Sequence, residues 1–209
     1  MVKRLSLVFV MLAMLFCVAS PASSQTYPLG DTNVALKVEY LRFMDDSIRE
    51  LNAGDGIYVG IEAYKQLLLP NLYFGMQIGW GGSSGDVNVP WFTYGEPISY
   101  STDVNYVPIE FNVKYAIPLD RCLILDFGSG FSINYFDITV KDNLWRNSGS
   151  ENDWIFGGQF FVDLNYKYAN WLFGVGVKYQ LTDTMSFGGT DTGISADNLR
   201  IGLQAGFTF

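Results

Sequence analysis

"NLRIGLQAGFTF", Asn198 to Phe209, decides how the rest of the chain is to be read. Leu199, Ile201, Leu203, Ala205, Phe207 and Phe209 fall on one parity; Arg200, Gly202, Gln204, Gly206 and Thr208 fall on the other. A period of two marks a strand whose two faces meet different surroundings. Alternation alone does not say which face is turned toward the protein. That depends on what the two parities carry elsewhere in the chain.

The same alternation recurs in seven further segments, approximately 33–43, 57–66, 72–81, 104–116, 123–134, 154–166 and 171–182. Nothing between them has helical periodicity over a useful length. The connections come in two kinds. "LLLPN" at 67–71, "IPLDR" at 117–121 and "KYAN" at 167–170 are tight and carry Pro, Asn or Asp where turns need them. Those beginning at Met44, Gly82, Tyr135 and Asp183 run to between about 13 and 22 residues. Short and long connections therefore gather at opposite ends of the strands, as in a barrel inserted from one compartment with its long loops exposed on the other.

Sorting the parities separates the chemistry. One face carries residues such as Leu36, Val38, Ile61, Phe74, Trp80, Phe111, Phe131, Phe156, Trp171 and Val175. The other carries Lys37, Glu39, Glu62, Glu110, Lys114, Asp126, Asp163, Lys167, Lys178 and Arg200, five charges of each sign. It also holds ten glycines: Gly60, Gly75, Gly79, Gly128, Gly130, Gly157, Gly174, Gly176, Gly202 and Gly206.

A soluble barrel would turn the apolar face inward and the polar face to water. The glycines argue against that, because a solvated strand face gains nothing from glycine and loses backbone entropy. Crowding explains them. An eight-stranded barrel has an interior just wide enough to be filled by side chains, so small residues must alternate with long charged ones. The apolar face then requires a lipid solvent. Its aromatics gather near strand ends, with Trp80, Trp154 and Tyr179 toward the long loops and Tyr115, Tyr166, Trp171 and Phe209 toward the short turns. Two such girdles are expected where a barrel crosses the two membrane interfaces. In hydrocarbon every backbone N–H and C=O must be paired, so the first and last strands are expected to meet and close the wall. The expected fold is an all-β, eight-stranded antiparallel up-and-down transmembrane barrel with short periplasmic turns and long extracellular loops.

With this architecture and the terminal "GLQAGFTF", the chain resembles the small eight-stranded outer-membrane β-barrels of Gram-negative bacteria, of OmpA/OmpX type. The resemblance covers the whole mature chain. It implies an outer-membrane location, a lipid environment, monomeric behaviour and a filled interior. It also implies that Phe207 and Phe209 act as the signal read by the barrel-assembly machinery. The lack of a following periplasmic domain, unlike OmpA itself, means that a cell-wall-binding role is not implied. A looser resemblance to OmpW-like barrels implies the alternative of a narrow conduit for small apolar molecules.

The front of the chain, "MVKRLSLVFVMLAMLFCVASPASSQ", has Lys3 and Arg4, an apolar run of roughly 15 residues, and small residues up to Ser24. This is the pattern of a secretory signal peptide over residues 1–24, and the run is short of the about 20 residues of a spanning helix. Phe16 before Cys17 does not fit a lipoprotein signal. Cleavage would leave Cys122 alone, without an intramolecular disulfide. It would also leave 21 acidic against 11 basic residues, a balance that argues against a nucleic-acid-binding surface.

The chain has no histidine. That removes the base from the barrel phospholipases, lipid A acyltransferases and deacylases, and omptin-type proteases whose architecture this sequence resembles. "GGSSG" at 81–85 fits the G-x-S-x-G elbow, but it opens a long loop and lacks a histidine partner for Ser83 or Ser84. Asp45 and Asp46 read as solvated loop carboxylates, and "GGTDTGISAD" at 188–197 is a single copy of a weak calcium-loop likeness. No catalytic, cofactor or metal residue is expected. The inward charges read as a structural network without a continuous aqueous pore. Trp91, Phe92, Tyr94 and Tyr100 lie among Gly and Pro in the second long loop, where lipid burial does not explain them, and form the candidate surface for an extracellular partner.

Overall fold

The computed structural model describes residues 31–93, 96–142, 148–187 and 190–209; the expected signal peptide lies outside the described residues. Strands β1 (Thr32–Phe43), β2 (Asp55–Gln66), β3 (Leu72–Thr93), β4 (Glu96–Pro118), β5 (Leu123–Asp142), β6 (Ser148–Tyr168) and β7 (Trp171–Thr182) follow one another around the wall. Two short strands, β8 (Thr184–Phe187) and β9 (Thr190–Ser195), form a separate hairpin, and β10 (Asn198–Thr208) completes the barrel. The eight long strands close in the order β1-β10-β7-β6-β5-β4-β3-β2. β10 lies antiparallel to β1, in register from Asn33↔Thr208 to Phe43↔Asn198. The backbone groups that an open edge would strand in hydrocarbon are thereby paired.

The parities fall as expected. Leu36, Val38, Phe131, Phe156, Trp171 and Leu203 are exposed on the outer wall, whereas Lys37, Glu62, Glu110, Asp126 and Arg200 are buried. The short ends turn through Asn71 (φ 65) and Ala169 (φ 53), both in the left-handed region that tight reversals use.

The structure departs from the sequence reading on the long side. The second and third long connections are largely strand. β3 and β4 stay paired beyond the apolar band through Val87↔Tyr100, and β5 and β6 through Lys141↔Ser148. Outside lipid both strand faces can be polar, so the contrast that marks a strand fades while backbone pairing continues. The first connection contains a five-residue helix, α1 (Asp46–Glu50), whose N-terminal N–H at Ser47 is capped by the Asp45 side chain. Five residues are too few to display a helical period. The fourth connection is the β8–β9 hairpin.

Inside the wall the apolar packing forms two clusters. Toward the long connections, Leu41, Phe43, Tyr58, Val104, Tyr106, Phe136 and Ile155 from the strands pack with Ile48 and Ala53 of the first connection and Met185 and Ala196 of the fourth. Toward the short turns a smaller cluster comprises Tyr64, Tyr73, Ala116, Ile124, Phe161 and Leu172. The charged residues occupy the middle of the strands and interleave with both clusters: Arg200 lies opposite Leu41, Lys114 opposite Tyr73 and Asp126 opposite Ala116.

Candidate functional site: the polar interior

Nine of the ten charges expected inside are buried. They form linked groups. Lys37 Nζ lies 3.2 Å from both Glu62 and Asp163. Lys114 Nζ lies 3.0 Å from Asp126. Lys178 Nζ lies 2.5 Å from Glu110, whose other oxygen accepts from Arg200 Nη2; Arg200 Nε faces Glu39 at 3.9 Å. Lys167 is the correction: it is only half-buried near the end of β6, outside these pairs. A long amphipathic side chain at a strand end can run out to the polar interface, which parity alone does not reveal.

Neutral groups join the pairs into a network. Asn165 donates to Asp126 at 3.1 Å, Gln159 to Asn112 at 2.7 Å, and Gln180 to Ser132 at 2.6 Å. Aromatic faces lie against two of the same cations. Lys114 Nζ is 4.1 Å from the Tyr64 ring centroid, and the Arg200 guanidinium carbon is 4.4 Å from that of Tyr58. Sequence reasoning missed these rings and the two apolar layers. The available cue was that the inward parity becomes apolar at strand ends, at Leu41, Phe43, Tyr64, Tyr73 and Leu172. The glycines make the room: a Cβ at Gly75 would overlap the Tyr64 ring, and one at Gly128 the Phe161 ring.

The other singled-out residues have local roles. Ser83 is buried and donates to the Ala53 carbonyl within a continuing strand, so "GGSSG" is not an elbow. Asp45 Oδ2 accepts from the Ser195 backbone at 3.0 Å and so ties the first long connection to the fourth. Tyr94 lies outside the described residues, as do the side chains of Trp91 and Phe92; Tyr100 is half-buried and pairs with Val87 and Asp142. Phe207 and Phe209 meet edge to face at 5.1 Å, and Phe207 meets Trp171 at 5.5 Å, on the outer wall by the short turns.

A closed barrel with an apolar outer wall, aromatic belts and an inward polar network defines a transmembrane β-barrel. The family described as the outer membrane protein beta-barrel domain matches residues 9–209, and the chain belongs to it. The protein therefore resides in the outer membrane, embedded in lipid. No curated protein matches the chain. Among solved structures it is similar to Neisserial surface protein A (NspA), at 15% identity over 86% of this chain and 98% of that one, with a TM-score of 0.59. The N-terminal β-barrel domain of Pseudomonas aeruginosa OprF is 11% identical over 87% and 99% of the two chains, with a TM-score of 0.49. Ail, the attachment invasion locus protein of Yersinia pestis, is 8% identical over 86% and 99%, with a TM-score of 0.46. At such identities the likeness is one of fold.

Proposed function

We propose that the protein is a non-enzymatic outer-membrane barrel with a closed interior that supports the envelope or displays its long extracellular hairpins to a partner. The observation that carries this reading is an interior occupied by paired buried charges with an apolar cluster toward each end of the strands. Ions moving along the axis would have to cross apolar packing twice. Small apolar molecules would have to cross the paired charges, which disfavours the OmpW-like conduit. In a low-dielectric interior, separating these ion pairs to open a path leaves charges uncompensated.

The proposal includes export with removal of residues 1–24, insertion by the barrel-assembly machinery, and function as a monomer. Catalysis is disfavoured because Ser83 and the loop carboxylate Asp45 are engaged in structural hydrogen bonds and the chain has no histidine base.

Planar-bilayer recording of the purified, folded protein tests the closed interior. Absence of stable openings is expected. Large, stable, ohmic openings would refute it.

A further inference from the structure

We propose that Arg42, held by Asp55 and Tyr40 on the outer wall, is a binding site for the phosphate of an outer-leaflet lipid. The outward parity of β1 runs Val34, Leu36, Val38, Tyr40 and then Arg42, so an apolar column ends in a guanidinium. Arg42 pairs across the ladder with Asp55 on β2 and Leu199 on β10, and Leu199 pairs with Tyr179. That register sets Arg42 level with an aromatic of the girdle toward the long connections. This is the extracellular side, where lipid headgroups begin.

The local geometry orients the group. Tyr40 Oη donates to Asp55 Oδ1, and the same oxygen faces Arg42 Nε at 3.8 Å. Asp55 thus occupies the Nε edge. Arg42 also hydrogen-bonds the Tyr40 side chain, and its own side chain is 44% exposed. A guanidinium held in place on one side and exposed on the other can present its remaining N–H groups to a phosphate.

The surroundings make Arg42 distinctive. Elsewhere on the outward faces of the extracellular half, β3 to β5 present Asp86, Asp103 and Asp137. Lys141 there is taken by Asp103 at 2.7 Å, and Arg49 on α1 by Asp46 at 3.1 Å. Among the described residues, an anionic headgroup meets carboxylates along that wall and an exposed guanidinium, Arg42 beside Asp55, at the β10–β1–β2 seam. The inference rests on outer-membrane placement and not on the closed interior, so the two can fail separately.

The test is native mass spectrometry of the folded full-length mature protein, titrated with phosphorylated lipid A, dephosphorylated lipid A or phosphatidylglycerol. Arg42→Gln and Arg42→Lys are compared with the wild type, each checked for its heat-modifiable gel shift. Phosphorylated lipid A should bind the wild type about tenfold or more tightly than it binds R42Q, the scale of a lost charged hydrogen bond. R42K should fall between, and the dephosphorylated lipid should not distinguish the variants. Phosphatidylglycerol retention that depends on Arg42 would also support the site and extend it to phosphodiesters. Equal binding by R42Q, or release of the lipid by EDTA regardless of Arg42, would overturn the proposal, the latter in favour of a divalent bridge to the acidic wall.

Discussion

Lys178 on β7 and Glu110 on β4 meet at 2.5 Å although β6 and β5 separate their strands around the barrel. The pair therefore spans the interior, and Arg200 from β10 converges on the same carboxylate. Removing the shared anion would leave two buried cations facing each other. Glu110→Gln is expected to destabilise the barrel by about 3–5 kcal/mol, the cost of breaking a buried pair from one side. Glu39→Gln should cost less, since Glu39 stands 3.9 Å from Arg200. Denaturant unfolding followed by heat-modifiable mobility reads both; equal midpoints for the two variants would contradict this ranking.

The extracellular apolar layer has a three-ring centre, with centroid separations of 5.5 Å for Phe43–Phe136, 6.0 Å for Phe43–Tyr106 and 6.2 Å for Tyr106–Phe136. Phe136→Ala should cost about 3–5 kcal/mol, as for other buried Phe truncations. Bilayer recordings of that variant should remain silent, because the Glu110–Lys178–Arg200 group is unchanged. Ohmic conductance in Phe136→Ala would show instead that the apolar layer alone holds the barrel shut.

Glycine substitutions separate crowding from mere strand propensity. A Cβ at Gly128 would overlap the Phe161 ring and the Val113 carbonyl, whereas one at Gly149 meets nothing within 4 Å. Gly128→Ala is expected to destabilise by about 1–3 kcal/mol through overpacking. Gly149→Ala should stay within about 0.5 kcal/mol of the wild type. Matching unfolding midpoints for the two variants would remove the steric explanation.

These contrasts show what the sequence could and could not reveal. The wall was legible because its outer solvent is uniform: Leu36, Val38, Phe131 and Val175 all answer to lipid, and parity transmits that directly. The charge network was legible as composition but not as pairing. That Lys37 reaches Asp163 depends on the closure order of the strands, which alternation does not encode. Lys167 was misplaced because parity says which side a residue faces and nothing about its depth. The extension of β3 to β6 was hidden because Asp103, Thr139 and Ser150 leave no apolar contrast once the strands pass out of lipid.

The extended β3–β4 hairpin yields a separate prediction. β2 leaves β3 at Gly56↔Ser83, whereas β3 and β4 stay paired through Val87↔Tyr100 and on to Val89↔Ile98, so residues 87–99 lie beyond the closed wall. Deleting 87–99 should therefore preserve the heat-modifiable barrel while abolishing any extracellular binding that depends on this segment, including its aromatics Trp91, Phe92 and Tyr94. Loss of the folded form on gels would show that the projecting sheet is needed for barrel stability. Binding that survives the deletion would move the recognition surface elsewhere.

Phe209 allows assembly to be separated from stability. Its side chain is 69% exposed on the outer wall and its described ring contact is with Phe207, while its backbone N–H donates to the Thr32 carbonyl at 2.8 Å. Phe209→Ser keeps that hydrogen bond and removes little buried area, so the purified barrel should lose no more than about 1 kcal/mol. If the terminal aromatic is also read during insertion, the same substitution should lower the amount of folded protein in the outer membrane several-fold, far more than so small a stability change produces. Phe207→Ser should reduce both quantities, because Phe207 packs against Trp171 as well. Cell-fraction yield and unfolding midpoint measured side by side decide the matter: a yield for Phe209→Ser that merely tracks its midpoint would reduce the residue to a packing role.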